Sequence, residues 1–168
     1  MEIQLQKAAL AQANEIWEIL KQAIERRRKD GSKQWQDGYP NLEIIQQDIE
    51  KEQGFILTDG RVILGYCAII INDEPEYANL KGKWLTNGDF VVFHRVAIHK
   101  NYLGKGLAKK MIALIEEFAL NNYIFSVKAD TNFDNHAMLN IFEKLGYTYC
   151  GEVYFRNSAR KAFEKVLQ

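Results

Sequence analysis

Two residues in this chain stand out for chemistry: Gly104 and Gly106, within Val96-Ala97-Ile98-His99-Lys100-Asn101-Tyr102-Leu103-Gly104-Lys105-Gly106-Leu107-Ala108. Glycines one residue apart let backbone N–H groups approach a ligand closely. From Leu107 onward apolar residues recur at helical spacing. Leu107, Met111, Leu114 and Phe118 form one stripe, with Ala108, Ile112, Ile115 and Ala119 beside it. The first N–H groups of such a helix have no partner within it, and the positive end of its dipole lies behind them. That combination suits a phosphate, and Lys105, Lys109 and Lys110 add positive charge nearby. The string fits neither G-x-x-x-x-G-K-[ST] nor G-x-G-x-x-G, since Lys109 stands where the third glycine belongs. A lone G-x-G also fits a tight strand-to-helix turn that holds no ligand.

The elements that must position this stretch follow from periodicity. Glu2–Ala8 reads as a first strand, and Leu10–Lys29 as a helix with Ile16, Ile19, Leu20 and Ala23 inward. That helix ends in Arg26-Arg27-Arg28-Lys29, either a solvated end where cations meet the negative dipole or an attractor of acidic substrate. Asp30–Pro40 is a polar loop whose Trp35 and Tyr39 either pack on the body or line a pocket. Asn41 caps a second helix, Leu42–Gln53, with Leu42, Ile45 and Ile49 inward. Gly54–Thr58 and Val62–Ile71 form a hairpin about Asp59-Gly60. The second of these strands is almost wholly apolar and should be central, and Asn72–Asn87 is a loop.

Phe90–His99 is the strand that leads into the glycines, with Val96 and Ile98 alternating. After the helix ending near Asn122, Tyr123–Ala129 is a strand. Asp134 or Asn135 caps a helix through Leu145, packed by Met138, Ile141, Phe142 and Leu145 and stopped by Gly146. Thr148–Phe155 and Lys161–Leu167 make a last antiparallel pair. The order β-α-α-β-β-β-α-β-α-β-β implies a mixed α/β (α+β) sheet with helices on both faces.

Composition bounds the function. The 168 residues suggest one domain, 1–168, and 47% hydrophobic residues suffice for a core. Lys+Arg and Asp+Glu are both 22, which argues against general affinity for nucleic acid or membrane, though not against a local basic pocket. Cys67 and Cys150 lack metal-ligand spacing and read as buried reduced thiols rather than a disulfide or metal framework. The first residues, Met1-Glu2-Ile3-Gln4, lack a basic region followed by an apolar run, and nowhere do 18 apolar residues run together. The expectation is a cytoplasmic protein without metal.

With these elements in place the chain resembles the GNAT superfamily of acetyl-CoA-dependent N-acetyltransferases, most sharply from His94 to Tyr147. The family's acetyl-CoA signature, [QR]-x-x-G-x-[GA], is matched at Leu103-Gly104-Lys105-Gly106-Leu107-Ala108 by Gly106 and Ala108, with Leu103 departing from Gln/Arg. The second signature, N-x-x-A-x-x-[LI]-Y-E-K-x-G-[FY], is followed closely by Asn135-His136-Ala137-Met138-Leu139-Asn140-Ile141-Phe142-Glu143-Lys144-Leu145-Gly146-Tyr147, with Phe142 in place of tyrosine. Two spaced motifs in order are more specific than either alone.

The resemblance implies a mostly antiparallel sheet splayed between its fourth and fifth strands. Backbone groups of Val96, Ala97 and Ile98 would then hold the pantetheine arm as if it were a strand. N–H groups from Leu103 to Ala108, including Gly104, Lys105, Gly106 and Leu107, would cradle the pyrophosphate. Asn135 would bond the pantetheine or phosphate end, and Phe142 belongs to the same cofactor-binding set.

The implied reaction is amine attack on the thioester. An alkyl ammonium has a pKa of about 10, so a proton must leave first. His94 is the candidate base, placed two and four residues before Val96 and Ile98 on one strand face, and histidines titrate near 6.5. A structural or pocket-shaping histidine is the alternative. Arg95 should face the other way in a structural role, and His99 and His136 fall on the rim. A backbone N–H near Val96 would polarise the carbonyl oxygen. Phe142 removes the family's usual acid, but a thiol of pKa about 8.5 leaves tolerably unaided; otherwise water or Tyr147 substitutes. The same departures support an acyl-CoA-binding sensor or interaction module without turnover. The acceptor is a small-molecule or peptide amine of unassigned identity. Dimers are frequent in the family, and no residue here decides whether this chain forms a homodimer.

Overall fold

The computed structural model describes residues 2–156 and 158–168. In chain order the strands are β1 (Gln4–Lys7), β2 (Gly54–Thr58), β3 (Ile63–Ile71), β4 (Lys81–Gly82), β5 (Val91–Ile98), β6 (Ser126–Thr131), β7 (Thr148–Phe155) and β8 (Ser158–Val166). The helices are α1 (Ala13–Lys29), α2 (Leu42–Glu50), α3 (Leu107–Asn121) and α4 (His136–Leu145), with 3-10 turns at Leu10–Gln12, Pro75–Asn79 and Lys100–Tyr102. The strands form one mixed sheet in the order β1-β2-β3-β5-β6-β8-β7-β4. The β5·β6 pair is parallel, while β1·β2, β2·β3, β6·β8, β7·β8 and β4·β7 are antiparallel. This is the mixed, mostly antiparallel α/β sheet expected.

The departures from expectation are local. The expected long first helix begins instead with a 3-10 turn at Leu10–Gln12. The Asn72–Asn87 stretch holds a 3-10 turn and the short β4. A two-residue strand carries no periodicity, so no pattern announces it. It forms because two backbones meet closely: a Cβ on Gly82 would lie 2.0 Å from the Cys150 carbonyl oxygen. The strand placed at Tyr123–Ala129 begins only at Ser126, and the last strand starts at Ser158 rather than Lys161. The hairpin turn is stabilised by Asp59, whose Oδ1 accepts from the N–H groups of Arg61 and Val62 at 2.9 and 3.1 Å. Those bonds hold its carboxyl below the usual carboxylate range.

The backbone groups into two compact units, and β3, β5 and α3 contribute residues to both. The first comprises residues up to Ile69 together with His94–Ile115. Its core joins Ile16, Ile19, Leu20 and Ala23 of α1 to Ile45 and Ile49 of α2, with Ile56, Tyr66 and Ala97 of the sheet. Trp35 belongs to this core, and the Arg27 guanidinium lies 3.8 Å over its ring. The loop aromatics therefore pack on the body. Gly65 admits a close approach, because a Cβ there would sit 2.7 Å from the Ala97 carbonyl oxygen and 3.0 Å from Met111 Cε.

The second unit comprises Ile70–Phe93 and Glu116–Gln168. One part of its core is aromatic: the Phe142 ring lies 6.2, 5.4 and 4.6 Å from those of Phe93, Tyr147 and Phe163. Another joins Tyr77, Val92, Val153 and Ala162, with Trp84 and Phe90 packed against it. Cys67 and Cys150, one in each unit, are buried free thiols. Burial raises both thiol pKa values. Among the described residues no helix is long and apolar enough to cross a membrane, and no cluster of His, Cys, Asp or Glu could hold a metal.

Candidate functional site

The register of β5 with β6 consists of Val91↔Val127 and Val92↔Lys128, after which β5 runs on to Ile98. Within that continuation Arg95 has φ +57°, the left-handed region that an L side chain rarely occupies. A left-handed residue inside a strand marks a bulge and costs about 1–3 kcal/mol unless its surroundings hold it. They do. Arg95 donates from Nε to Asp48 Oδ2 at 2.8 Å and from Nη2 to Asp48 Oδ1 at 2.6 Å. Its Nη1 also donates to the Tyr39 hydroxyl, and the Tyr66 hydroxyl donates to Asp48 Oδ2 at 2.7 Å. Burial pulls the Arg95 pKa down, but the Tyr39 and Asp48 oxygens outweigh it and the net movement is upward.

This bulge follows directly on His94, which is half-buried. The two-residue alternation that put His94 on one face with Val96 and Ile98 is interrupted at Arg95, so alternation alone does not aim the imidazole. Val96, Ala97 and Ile98 are buried. The Ile98 carbonyl accepts from Arg26 Nη2 at 3.0 Å, and the His99 N–H donates to the Leu64 carbonyl at 2.8 Å. Part of the basic end of α1 is thus spent on the end of β5 rather than on solvent.

A 3-10 turn follows, with His99 Nδ1 accepting from the Asn101 N–H at 3.0 Å. Gly104 and Gly106 then take φ +77° and +72°, and a Cβ on either would meet nothing within 4 Å. Backbone direction, not crowding, calls for glycine here, and open space lies over both. The Gly106 carbonyl accepts from the Lys110 N–H at 3.0 Å, closing the first turn of α3 and leaving the N–H groups before Lys110 without helical partners. Leu107 is buried, while Leu103, Lys105, Lys109 and Lys110 are exposed. A cavity of about 420 Å³ adjoins the segment, lined by Leu64, Tyr102, Leu107, Lys105, Arg61 and Asp59, the last two 3.8 Å apart as an ion pair. Open glycines, helix-start donors and the Lys105 cation fit a pyrophosphate.

The structure therefore brings His94, Val96–Ile98 and Leu103–Ala108 together in the first unit. Asn135 and Phe142 lie in the second. Asn135 caps α4, its Oδ1 accepting from the Met138 N–H at 3.2 Å. The Phe142 ring is 1% exposed, enclosed by its aromatic neighbours. Tyr147 donates to Glu116 Oε2 at 2.9 Å, and Lys165 donates to the other oxygen at 3.0 Å. Burial and that carboxylate push the Tyr147 pKa well up, so its proton is held rather than offered. Sequence reasoning missed Asp48 and Tyr39 as supports of β5. One signal was available: Asp48 falls beside Ile45 and Ile49 on the inward face of α2, and a buried acid implies a partner.

Comparison with known proteins agrees with this geometry. The family model described as acetyltransferase (GNAT) family matches residues 15–147. A GNAT-family acetyltransferase of Streptococcus agalactiae 2603 is 31% identical, with a TM-score of 0.91 over 99% of this chain and 96% of that one. The yncA protein of Salmonella typhimurium, solved with its cofactor acetyl-CoA, shares the fold at 16% identity and a TM-score of 0.70, covering 100% and 95% of the two chains. So does the aminoglycoside acetyltransferase AAC(6')-Ib in complex with coenzyme A, at 16% identity and 0.70 over 98% and 95%. Comparison with curated proteins gives no match. The match over residues 15–147, with the 31% identity over 99% of the chain, shows that this chain belongs to the acetyltransferase (GNAT) family.

Proposed function

We propose that the chain transfers the acetyl group of acetyl-CoA to a primary amine of a small molecule or peptide, as a single acetyltransferase domain. The observation that carries this reading is the pair Gly104 and Gly106, left-handed, open above, and set at the start of α3. Backbone N–H groups from Leu103 to Ala108 hold the pyrophosphate, and Lys105 adds charge. Val96, Ala97 and Ile98 offer main-chain groups to the pantetheine. When bound, acetyl-CoA supplies an acyl group on a thiol leaving group. His94 takes the proton from the attacking amine, and a backbone N–H near Val96 polarises the carbonyl oxygen. No side chain at Phe142 can donate a proton to the sulfur.

Thiol release from acetyl-CoA, measured against a panel of primary amines, tests the reading. Amine-dependent release supports it. Binding of acetyl-CoA without release favours a second reading, a non-catalytic acyl-CoA-binding module. That reading rests on Phe142 standing where the family has tyrosine and on the Tyr147 hydroxyl being committed to Glu116. Absence of binding removes both.

A further inference from the structure

The second unit holds a lysine that neither signature uses. Lys128 of β6 is 4% exposed, and its Nζ lies 4.3 Å from the centroid of Trp84 and 4.2 Å from that of Phe90. The two rings favour the ammonium, but they supply no acceptor for its protons. The nearest carboxylate by register is its cross-strand partner Glu164, which is fully buried. That carboxylate already accepts from the Leu85 N–H at 2.7 Å, from the Thr86 hydroxyl, and from the Ser126 hydroxyl at 2.7 Å. Among the described residues Lys128 Nζ makes no hydrogen bond or ion pair, and it is not one of the enclosed polar atoms left without a partner, so its tip stays open to the cavity. Burial is the larger influence on its pKa and lowers it, against the upward pull of Glu164.

Lys128 lines a cavity of about 380 Å³ with Tyr77, Trp84 and Phe90. These walls are fixed. The Trp84 Nε1–H donates to the Tyr77 carbonyl at 2.9 Å, and the two rings lie 5.0 Å apart. The Tyr77 hydroxyl is tied to Asp130 Oδ2 at 2.6 Å. Asp73 and Glu74 also line the cavity and oppose any anion there, a dianion about twice as strongly as a monoanion. A cation on a buried residue, open at its tip to a cavity of ligand size with aromatic walls, offers a counter-charge to one negative group on an apolar body.

The geometry points to a binding site for a small monocarboxylate with an apolar or aromatic body, its carboxylate on Lys128 and its body against Tyr77, Trp84 and Phe90. Isothermal titration of the full chain with 3-phenylpropionate tests this, followed in parallel by tryptophan fluorescence. The neutral isostere 3-phenylpropionamide and the dianion phenyl phosphate serve as comparisons. The acid binds saturably, and each comparison binds about tenfold or more weakly. Lys128→Met weakens the acid by a similar factor, whereas Lys128→Arg retains it, with folding of each variant checked by thermal melting. If Lys128→Met does not fold, the acid and amide on the unaltered protein decide. Equal affinity for acid and amide, a phosphate that binds as well as the acid, or no saturable binding of the acid overturns the proposal.

Discussion

Arg95 and Asp48 form a bidentate ion pair that ties strand β5 to helix α2, with side chains 7% and 4% exposed. The pair sits at the one left-handed residue of β5, immediately after His94 and before the segment proposed to hold the cofactor. Removing one partner of such a pair leaves a buried charge with nothing to answer it. Asp48→Ala is therefore expected to lower unfolding stability by about 3–5 kcal/mol, read from urea denaturation. It should also disturb acetyl-CoA affinity, because the bulge loses its anchor. A loss under about 1 kcal/mol would show that the ion pair does not hold β5.

His94→Ala is expected to reduce kcat/KM by about 10²–10⁴-fold, the usual contribution of a positioned base. The acid limb of the pH–rate profile should flatten, and acetyl-CoA affinity by calorimetry should stay close to that of the parent. An unaltered acid limb removes His94 from the proton transfer.

Gly106→Glu should abolish acetyl-CoA binding. It forces an L side chain into φ +72° and puts a negative charge into the open space above the helix donors. Gly106→Ala should cost about 1 kcal/mol through the backbone alone. Calorimetric titration of both variants separates the two effects, and normal binding by Gly106→Glu would rule out this segment as the phosphate cradle.

Three tyrosines should make the fold sensitive to alkali. Burial, reinforced by Asp48, Asp130 and Glu116 respectively, raises the pKa of Tyr66, Tyr77 and Tyr147. Above the ordinary tyrosine pKa of about 10 the unfolded chain releases protons that the folded chain retains. The unfolded state then binds fewer protons, so stability is fully present below about pH 10 and falls as pH rises beyond it. Absorbance at 295 nm should show these three of the eight tyrosines titrating only with unfolding. A smooth titration of all eight in the folded protein would contradict it.

The amino-acid sequence by itself determined the order of the elements apart from the short β4, the inward faces of the helices and the glycine stretch. Each of these is written locally: Ile16, Ile19, Leu20 and Ala23 recur at helical spacing and are buried, and Asn41 caps α2 by accepting from the Ile44 N–H at 2.9 Å. Gly104 and Gly106 announce their left-handed backbone because few other residues tolerate it. Only the tertiary structure decided what lies between residues distant in sequence. That Arg95 breaks β5, that Asp48 and Tyr39 hold it there, and that Arg26 reaches the Ile98 carbonyl all depend on contacts 47 to 72 positions apart. The same holds for Lys128, whose place between Trp84 and Phe90 comes from the 72–90 stretch folding onto β6. Periodicity reports which side of an element is apolar; it says nothing of which charged group must share a low-dielectric space with which partner, and those pairings shape this site.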